Sequence, residues 1–253
     1  MLRLDGRNCL ITGASSGLGA HFARLVSAAG ARVIVAARRE DRVQALAAEI
    51  RAAGGEALPV AMDVSDELSV SAAFDAAEAA FGTVDTIIAN AGVSAPGRSI
   101  EISIEAIRSV LDTNVLGVLL TAREGARRLI AAGSRENERG RIVLIGSVTA
   151  EMTGQGETIY CASKAAVAHL GRNLAKEWAR LGVNVNVIQP GYISTELAGD
   201  WFTSEGGKSQ IAGFTRRRLQ PINSLDAPML YLCSDEAAHT TGAIFTIDDG
   251  QML

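Results

Sequence analysis

Residues 8–19 read NCLITGASSGLG, an apolar run that ends in a glycine-rich turn. An Ala- and Leu-rich helical pattern follows directly, over residues 18–29. Glycine lets the backbone turn sharply and lets a bulky anion come close, and the helix beyond offers free amides at the positive end of its dipole. The stretch therefore predicts a strand–turn–helix unit that binds the pyrophosphate of a dinucleotide, although such a turn can also bind nothing. The predicted cradle consists of Gly13, Ser15, Ser16, Gly17, Leu18 and Gly19.

Beyond this unit, short β-branched runs alternate with longer amphipathic segments. The strands are predicted over residues 8–12, 32–37, 57–62, 83–89, 141–146, 183–189 and 243–247, and the helices near 18–29, 40–53, 66–81, 103–132, 158–181 and 226–234. Strands that are apolar almost throughout are typical of parallel sheets covered on both faces. We therefore expect an α/β fold: a single Rossmann-like domain over residues 1–253, with a doubly wound parallel sheet of about seven strands and a long substrate loop over about 192–220.

Composition narrows the class of protein. Hydrophobic residues make up 48% of the chain, charged residues 21%, and the net charge is −4, which fits a soluble enzyme and disfavours nucleic-acid binding. The three cysteines, Cys9, Cys161 and Cys233, lie far apart and form neither a disulfide framework nor a zinc motif, so no metal is expected. No apolar run has the length of a membrane span, and no secretory leader is evident. A cytoplasmic protein without a membrane partner is predicted.

The end of the second strand bears on the choice of cofactor. NAD-binding sites usually place an acidic residue there to hold the ribose hydroxyls. This strand instead ends at Ala37 and is followed by Arg38 and Arg39, whose guanidinium groups match a 2′-phosphate in charge and geometry. The sequence thus favours NADP over NAD. The two arginines could also begin a solvated helix, where Glu40 and Asp41 are close enough to pair with them.

Tyr160 and Lys164 lie four residues apart on a predicted helix, so they share one of its faces. Hydride addition to a carbonyl needs a proton donor at the developing alkoxide, and the reverse reaction needs a base. Tyrosine has an ordinary pKa of about 10, which a neighbouring ammonium is expected to lower. The pair is therefore interpreted as an acid/base unit.

A wider set of motifs carries a resemblance. The glycine turn, Asn90-Ala91-Gly92, Asn114, Ser147 at 13 residues before Tyr160, Lys164 and Pro190-Gly191 occur in the order and spacing of the short-chain dehydrogenase/reductase family. The chain resembles this family from about residue 8 to residue 250, particularly its NADP-dependent ketoreductase and 3-oxoacyl-acyl-carrier-protein reductase branch. It departs near the C-terminus, where Asp248-Asp249-Gly250 replaces the common Asp-Gly-Gly.

The resemblance implies roles for individual residues. Tyr160 would be the general acid/base, Lys164 would lower its pKa and hold the nicotinamide ribose, Ser147 would bind the substrate oxygen, and Asn114 would anchor a water for proton relay. The other residues implied at the cofactor are Asp63 and Val64 at the adenine, Asn90, which mainly stabilises the central sheet, Ala91 and Gly92, which line the cofactor, Pro190 and Gly191 at the start of the substrate loop, and Ile193 and Thr195 at the carboxamide and pyrophosphate.

The substrate is expected in front of the nicotinamide, beside Ser147 and Tyr160. The predicted lining is mainly apolar, which favours a hydrophobic or bulky ketone or secondary alcohol, although Trp201 and Phe202 could equally pack the loop onto the domain. This lining comprises Val148, Met152, Tyr192, Leu197, Trp201, Phe202, Ile211 and Phe214. Two alternatives remain: reduction of a 3-oxoacyl group on an acidic carrier met by Arg216–Arg218, or a non-catalytic nucleotide-binding regulator.

Assembly is implied by the resemblance alone. Family members are commonly homotetramers that pair the helices corresponding here to residues 103–132 and 158–181. Val110, Val115, Val167 and Leu170 are apolar residues of these segments that could serve the subunit face, although burial under neighbouring helices would look the same.

Overall fold

The computed structural model of the chain describes residues 2–253 and contains a seven-stranded parallel sheet. The strands are β1 (Asn8–Thr12), β2 (Arg32–Ala37), β3 (Ala57–Ala61), β4 (Thr86–Ala89), β5 (Gly140–Ile145), β6 (Val183–Pro190) and β7 (Ile244–Ile247). Their order across the sheet is β3-β2-β1-β4-β5-β6-β7, so the direction of winding reverses between β1 and β4. Ligands of such sheets bind at the carboxyl ends of the strands beside that reversal. The predicted doubly wound parallel sheet is confirmed.

Helices cover both faces of the sheet. They are α1 (Gly17–Ala28), α2 (Glu40–Ala52), α3 (Glu67–Phe81), α4 (Ile104–Leu111), α5 (Gly117–Ala131), α6 (Ser134–Asn137), α7 (Thr158–Trp178), α8 (Glu205–Gly213) and α9 (Asp226–Cys233). One apolar cluster joins α1, α2 and α9 to the sheet, and a second joins α3, α5 and α7. Within β1, Cys9 and Ile11 belong to the first cluster and Leu10 to the second. Burial on both faces explains why the strands read as continuous apolar runs.

The predicted helix over 103–132 is not regular throughout. A π-helical turn at Asp112–Leu116 separates α4 from α5 and contains the buried Asn114. Such turns widen the helix locally and often mark functional positions. Sequence periodicity did not reveal it, because one extra residue in a turn barely disturbs an apolar pattern.

The segment expected as the substrate loop contains helices, and a further short helix lies before β5. Residues 192–220 hold two 3₁₀ turns, Glu196–Ala198 and Trp201–Thr203, followed by α8. Ser204 supplies the start of α8, since its hydroxyl accepts from the Gly207 amide at 3.1 Å. The charged stretch after Gly133 forms α6, whose Ser134 is buried and donates to the Leu181 carbonyl at 2.5 Å.

Two of the apolar residues expected at a subunit face are unavailable for it. Val110 and Val167 are fully buried inside the chain, whereas Val115 and Leu170 are half-buried. The large apolar side chains exposed near this region are Ile100, Ile104, Leu111 and Leu116. Within residues 2–253, no helix combines the length and apolar character needed to cross a membrane, and no three His, Cys, Asp or Glu side chains are grouped to hold a metal ion.

Candidate active site

The glycine turn packs against the end of β4, at the reversal of the strand order. Gly13 has φ +66°, and a Cβ there would stand 2.8 Å from the Ala91 Cα. A Cβ on Gly19 would stand 2.4 Å from the Gly13 carbonyl oxygen. Thr12 Oγ1 accepts from the Asn90 and Ala91 amides, both at 3.0 Å, and the Asn90 side chain donates to the Thr12 carbonyl at 2.9 Å. The turn is therefore held in place by β4, and larger residues at Gly13 or Gly19 would separate the two.

The N-terminus of α1 is suited to an anion. Ser16 is its N-cap residue, but the Ser16 side chain accepts no backbone hydrogen bond there, and the first turn holds no acidic residue. In α3, by contrast, Asp66 accepts from the Leu68 amide. The first amides of α1 thus keep their donors for a ligand, with the helix dipole pointing at it. These groups fit the pyrophosphate of a dinucleotide.

The two arginines after β2 have different surroundings. Arg38 is exposed and near Asp63, whose pKa is lowered chiefly by its hydrogen bond from Ser65 and to a lesser degree by the Arg38 charge. Arg39 instead reaches the glycine turn and is bound by Glu196. The neighbouring Val64 is buried against Gly117. Arg38 is therefore the arginine left accessible beside the predicted adenine position.

Ser147, Tyr160 and Lys164 converge at the carboxyl end of β5. Ser147 follows this strand, and its hydroxyl is close enough to the Tyr160 phenol to lower the pKa of that group in part. Lys164 lies one turn further along α7, is buried, and donates from Nζ to the Ile145 carbonyl at 2.8 Å. Its Nζ is 5.6 Å from the centre of the Tyr160 ring. A hydroxyl, a phenol and an amine therefore line one wall of the cleft.

The expected lowering of the Tyr160 pKa by Lys164 is wrong for the protein alone. Burial raises the pKa of Tyr160 above its ordinary value, and the bond with Ser147 opposes this only in part. Burial also lowers the pKa of Lys164 to about 8, because the ammonium loses its hydration. Desolvation is thus the largest cause of both pKa shifts. Tyr160 is consequently protonated at neutral pH, which suits a proton donor.

Asn114 joins three segments of the site. Its Oδ1 accepts from the Val93 amide at 2.8 Å, and its Nδ2 donates to the Val93 carbonyl and to Ser163 Oγ, both at 3.0 Å. The Ser163 hydroxyl in turn donates a hydrogen bond to the Tyr160 carbonyl at 2.7 Å. A fully buried amide is satisfied in this way, and it fixes the chain after β4 against the start of α7.

The segment after β6 forms the opposite wall. Tyr192 stacks on Phe214 with ring centres 5.6 Å apart and meets Phe202 edge-on at 6.0 Å. The preceding Pro190 and Gly191 lie where β6 ends, Ile193 is buried, and the Thr195 side chain lies near Gly17 of the glycine turn.

The other residues predicted for the substrate pocket differ in exposure. Val148 is buried and Met152 half-buried, while Leu197 and Trp201 are about half exposed, at 50% and 52%. The structure thus brings Tyr192, Phe202 and Phe214 together as a compact wall. Leu197 and Trp201 stand at its solvent edge.

Two acidic residues of the cleft were missed by the sequence reasoning. Glu157 lies one turn before Tyr160, and its Oε2 accepts from the Tyr192 hydroxyl at 3.4 Å. Burial raises the pKa of Glu157, and that of Tyr192 to about 12. The second is Glu196, which binds Arg39. The spacing of Glu157 before Tyr160 could have revealed the first, but nothing local links Glu196 to residues so distant in sequence.

The Arg216–Arg218 run is partly neutralised. Arg218 Nε lies 2.7 Å from Asp249, and Arg216 Nε lies 3.3 Å from the same carboxylate. Asp249 is the residue that departs from the common Asp-Gly-Gly ending, and it has φ +56°. Asp249 therefore forms ion pairs with two of the three arginines.

Comparison with known proteins gives a consistent result across the chain. A family model described as short chain dehydrogenase matches residues 7–206. The cis-4-hydroxycyclohexanecarboxylate dehydrogenase of Sinomonas cyclohexanicum is 36% identical over 251 residues, which cover 96% of this chain and 96% of the relative. The 3-oxoacyl-acyl-carrier-protein reductase of Escherichia coli is 30% identical over 256 residues, and this match covers 100% of both proteins.

Solved structures extend the similarity to three dimensions. A gluconate 5-dehydrogenase from Burkholderia cenocepacia, solved in complex with NADP and tartrate, superimposes with a TM-score of 0.93 at 29% identity. The match covers 99% of this chain and 97% of that protein. The whole chain, including the segment after β6, thus falls within the similarity.

Proposed function

Since the chain belongs to the short-chain dehydrogenase family and is an oxidoreductase of alcohol and ketone groups, we propose that it uses NADP(H) to interconvert a ketone and a secondary alcohol. The observation that carries the proposal is the convergence of Ser147, Tyr160 and Lys164 beside the glycine turn. A bound nicotinamide supplies or accepts the hydride there. The protein's own residues must then bind the substrate oxygen and move one proton.

Tyr160 donates or accepts this proton. Its raised pKa keeps the phenol protonated, so it can donate to the oxygen of a carbonyl that is being reduced. Ser147 donates to the same oxygen and orients it. Lys164 holds a ribose hydroxyl, and Asn114 keeps the start of α7 in register with the chain after β4. For alcohol oxidation, a cationic nicotinamide nearby would favour the phenolate.

NADP(H) is proposed over NAD(H) because of Arg38. This guanidinium is exposed near Asp63, where the adenosine half of the nucleotide is expected. A 2′-phosphate matches it in charge and geometry. The NADP bound to the similar gluconate 5-dehydrogenase supports the same choice.

The substrate proposed is a hydrophobic or bulky ketone or its alcohol. The aromatic wall of Tyr192, Phe202 and Phe214 supports an apolar body, and Glu157 adds one polar group near the reacting oxygen. Two similar proteins are dehydrogenases of a hydroxycyclohexanecarboxylate and of gluconate, which supports a secondary alcohol. Reduction of a carrier-bound 3-oxoacyl group has less support, since Arg216 and Arg218 are held by Asp249.

The proposal also covers the assembly and the cellular location of the enzyme. We propose a homotetramer in a cytoplasmic location, with the exposed Ile104, Leu111 and Leu116 of the α4–α5 region covered by another copy. A contiguous exposed apolar patch is typical of such contacts. Sedimentation at micromolar concentration would test the assembly, and a monomer alone would contradict it.

The experiment that tests the reaction compares two matched substitutions. Tyr160→Phe removes the phenolic proton, and we expect kcat for ketone reduction to fall by about a hundredfold or more, with NADPH affinity within about threefold. Tyr231→Phe is the control, because the Tyr231 hydroxyl contacts only Thr240 on the other face of the sheet. Titration with NADPH and NADH, followed by a panel of ketones, measures both properties. Full activity of Tyr160→Phe would refute the assignment, and binding of neither nucleotide would favour the non-catalytic alternative.

A further inference from the structure

One carboxylate joins the two sides of the nucleotide cleft. Glu196, in the segment after β6, places Oε1 2.5 Å from Arg39 Nη1 and Oε2 2.6 Å from Arg42 Nη1. Each oxygen thus serves one guanidinium. Both arginines belong to the chain just after β2, where the 2′-position of a nicotinamide nucleotide is expected.

Each of the three guanidinium nitrogens of Arg39 already has a hydrogen-bond partner. Its Nε and Nη2 donate to Ser15 Oγ at 3.1 and 2.9 Å, and Nη2 also donates to Ser16 Oγ at 2.8 Å. The remaining nitrogen, Nη1, is the one bound by Glu196. Within residues 2–253, Arg38 has no ion-pair partner. Arg38 can therefore bind a new anion directly, whereas Arg39 is already paired with Glu196.

We propose that Glu196 acts as a discriminator at the nucleotide site: it competes with a 2′-phosphate for Arg39 and Arg42 and so reduces the preference for NADP(H) over NAD(H). The inference rests on the proposed function, since it takes the cleft to bind a nicotinamide nucleotide. A carboxylate and a phosphate both prefer the paired N–H donors of a guanidinium, and both cannot use the same ones. NAD(H) has no group that requires this exchange.

This competition would also couple nucleotide binding to the position of the segment after β6, which is predicted to line the substrate pocket. Glu196 directly follows Thr195, whose Cβ would lie 3.5 Å from a Cβ on Gly17. The ion pair therefore fastens the segment after β6 over the glycine turn. If a 2′-phosphate displaces Glu196, the segment after β6 loses this ion pair to the chain after β2. By reciprocity, an intact ion pair lowers the affinity for that phosphate.

The size of the effect follows from the exposure of the groups. The side chains of Arg39, Arg42 and Glu196 are 41%, 45% and 50% exposed, so solvent screens the pairing. We therefore expect a change of about three- to tenfold in nucleotide affinity rather than an all-or-none switch.

The test uses the full-length protein and measures binding rather than turnover. Dissociation constants of NADPH and NADH are determined by nicotinamide fluorescence for the unmodified protein, for Glu196→Gln and for the control Glu205→Gln. Glu205 lies in the same segment, is exposed and pairs only with Lys208. We expect Glu196→Gln to bind NADPH about three- to tenfold more tightly and NADH within twofold of the unmodified protein. Glu205→Gln should change neither.

A double substitution makes the test specific to the proposed partner. In an Arg39→Ala background, Glu196→Gln should lose most of its effect on NADPH, since one competing guanidinium is gone. An unchanged ratio of the two affinities would overturn the inference, as would an equal change in both or a loss of NADPH affinity. Failure of the unmodified protein to bind either nucleotide would refute the proposed function as well, whereas binding without a shift in the ratio refutes this inference alone.

Discussion

The two walls of the cleft are built in different ways. The first wall is formed by the glycine turn, β5, α7 and the π-helical turn at Asp112–Leu116. There, Asn114 and Lys164 are buried and their polar atoms have partners inside the chain. On the wall formed by the segment after β6, Leu197 and Trp201 are about half exposed, and Glu196 holds the segment through an exposed ion pair. The first wall has a single well-determined geometry. The second can change without disturbing the sheet, which is where variation in specificity is expected.

The largest effect should come from crowding the rigid side of the cleft. Gly19→Ala places a Cβ 2.4 Å from the Gly13 carbonyl oxygen, so the glycine turn must move. We expect the free energy of unfolding to fall by about 1–3 kcal/mol and NADPH affinity to fall at least about tenfold. Thermal unfolding and fluorescence titration measure the two quantities.

The same substitution in the second wall provides the control. A Cβ on Gly213, at the end of α8, would meet no atom within 4 Å. Gly213→Ala should therefore leave nucleotide binding unchanged and stabilise the protein by up to about 1 kcal/mol. Equal losses in the two variants would show that the walls do not differ in rigidity.

A smaller effect should follow from removing the carboxyl group of Glu157, which lies between the two walls, and it should appear in the pH dependence of alcohol oxidation. Glu157 contributes to the raised pKa of Tyr160, after burial, because its negative charge opposes the phenolate. Glu157→Gln removes that charge, so the pKa of Tyr160 should fall. The rising limb of kcat/KM for alcohol oxidation against pH should then shift to lower pH.

Direction is the decisive feature of this pH profile. A shift to higher pH would contradict the electrostatic role of Glu157, and no shift would mean that solvent screens it. Glu151→Gln is the matched control, since Glu151 is exposed in the chain just before. Its profile should coincide with that of the unmodified enzyme.

The rigid wall was also the more predictable one. The glycine turn and the Tyr160–Lys164 pair were predicted from spacing, because strands and helices fix where residues at given intervals point. Ser147 was implied by the resemblance to the family. The π-helical turn around Asn114 escaped because it leaves the apolar pattern intact. The pKa of Tyr160 was predicted in the wrong direction, since the degree of burial is a property of packing rather than of spacing.

The second wall was predicted less completely for a physical reason. Its positions depend on contacts between distant segments, such as those of Glu196 with Arg39 and Arg42. No local pattern encodes such pairs. The sequence could not distinguish Phe214, which is buried, from Trp201, which is half exposed.

The smallest expected effect on the fold, and the most informative one for specificity, concerns Trp201. Its Nε1 donates to Gln210 Oε1 at 2.7 Å, and its ring covers Gly206, where a Cβ would stand 2.8 Å away. Because about half of the side chain is exposed, Trp201→Ala should change the free energy of unfolding by less than about 1 kcal/mol. KM for bulky ketones should rise about three- to tenfold, while kcat for a small ketone stays constant.

This split between KM and kcat separates a binding wall from a packing element. Leu68→Ala, which removes a side chain that is 79% exposed on α3, should change neither quantity and serves as the control. If Trp201→Ala lowers stability and the turnover of every ketone alike, the ring holds the segment on the domain rather than binding substrate. A rise in KM confined to bulky ketones would instead establish that the adaptable wall selects the substrate while the rigid wall performs the chemistry.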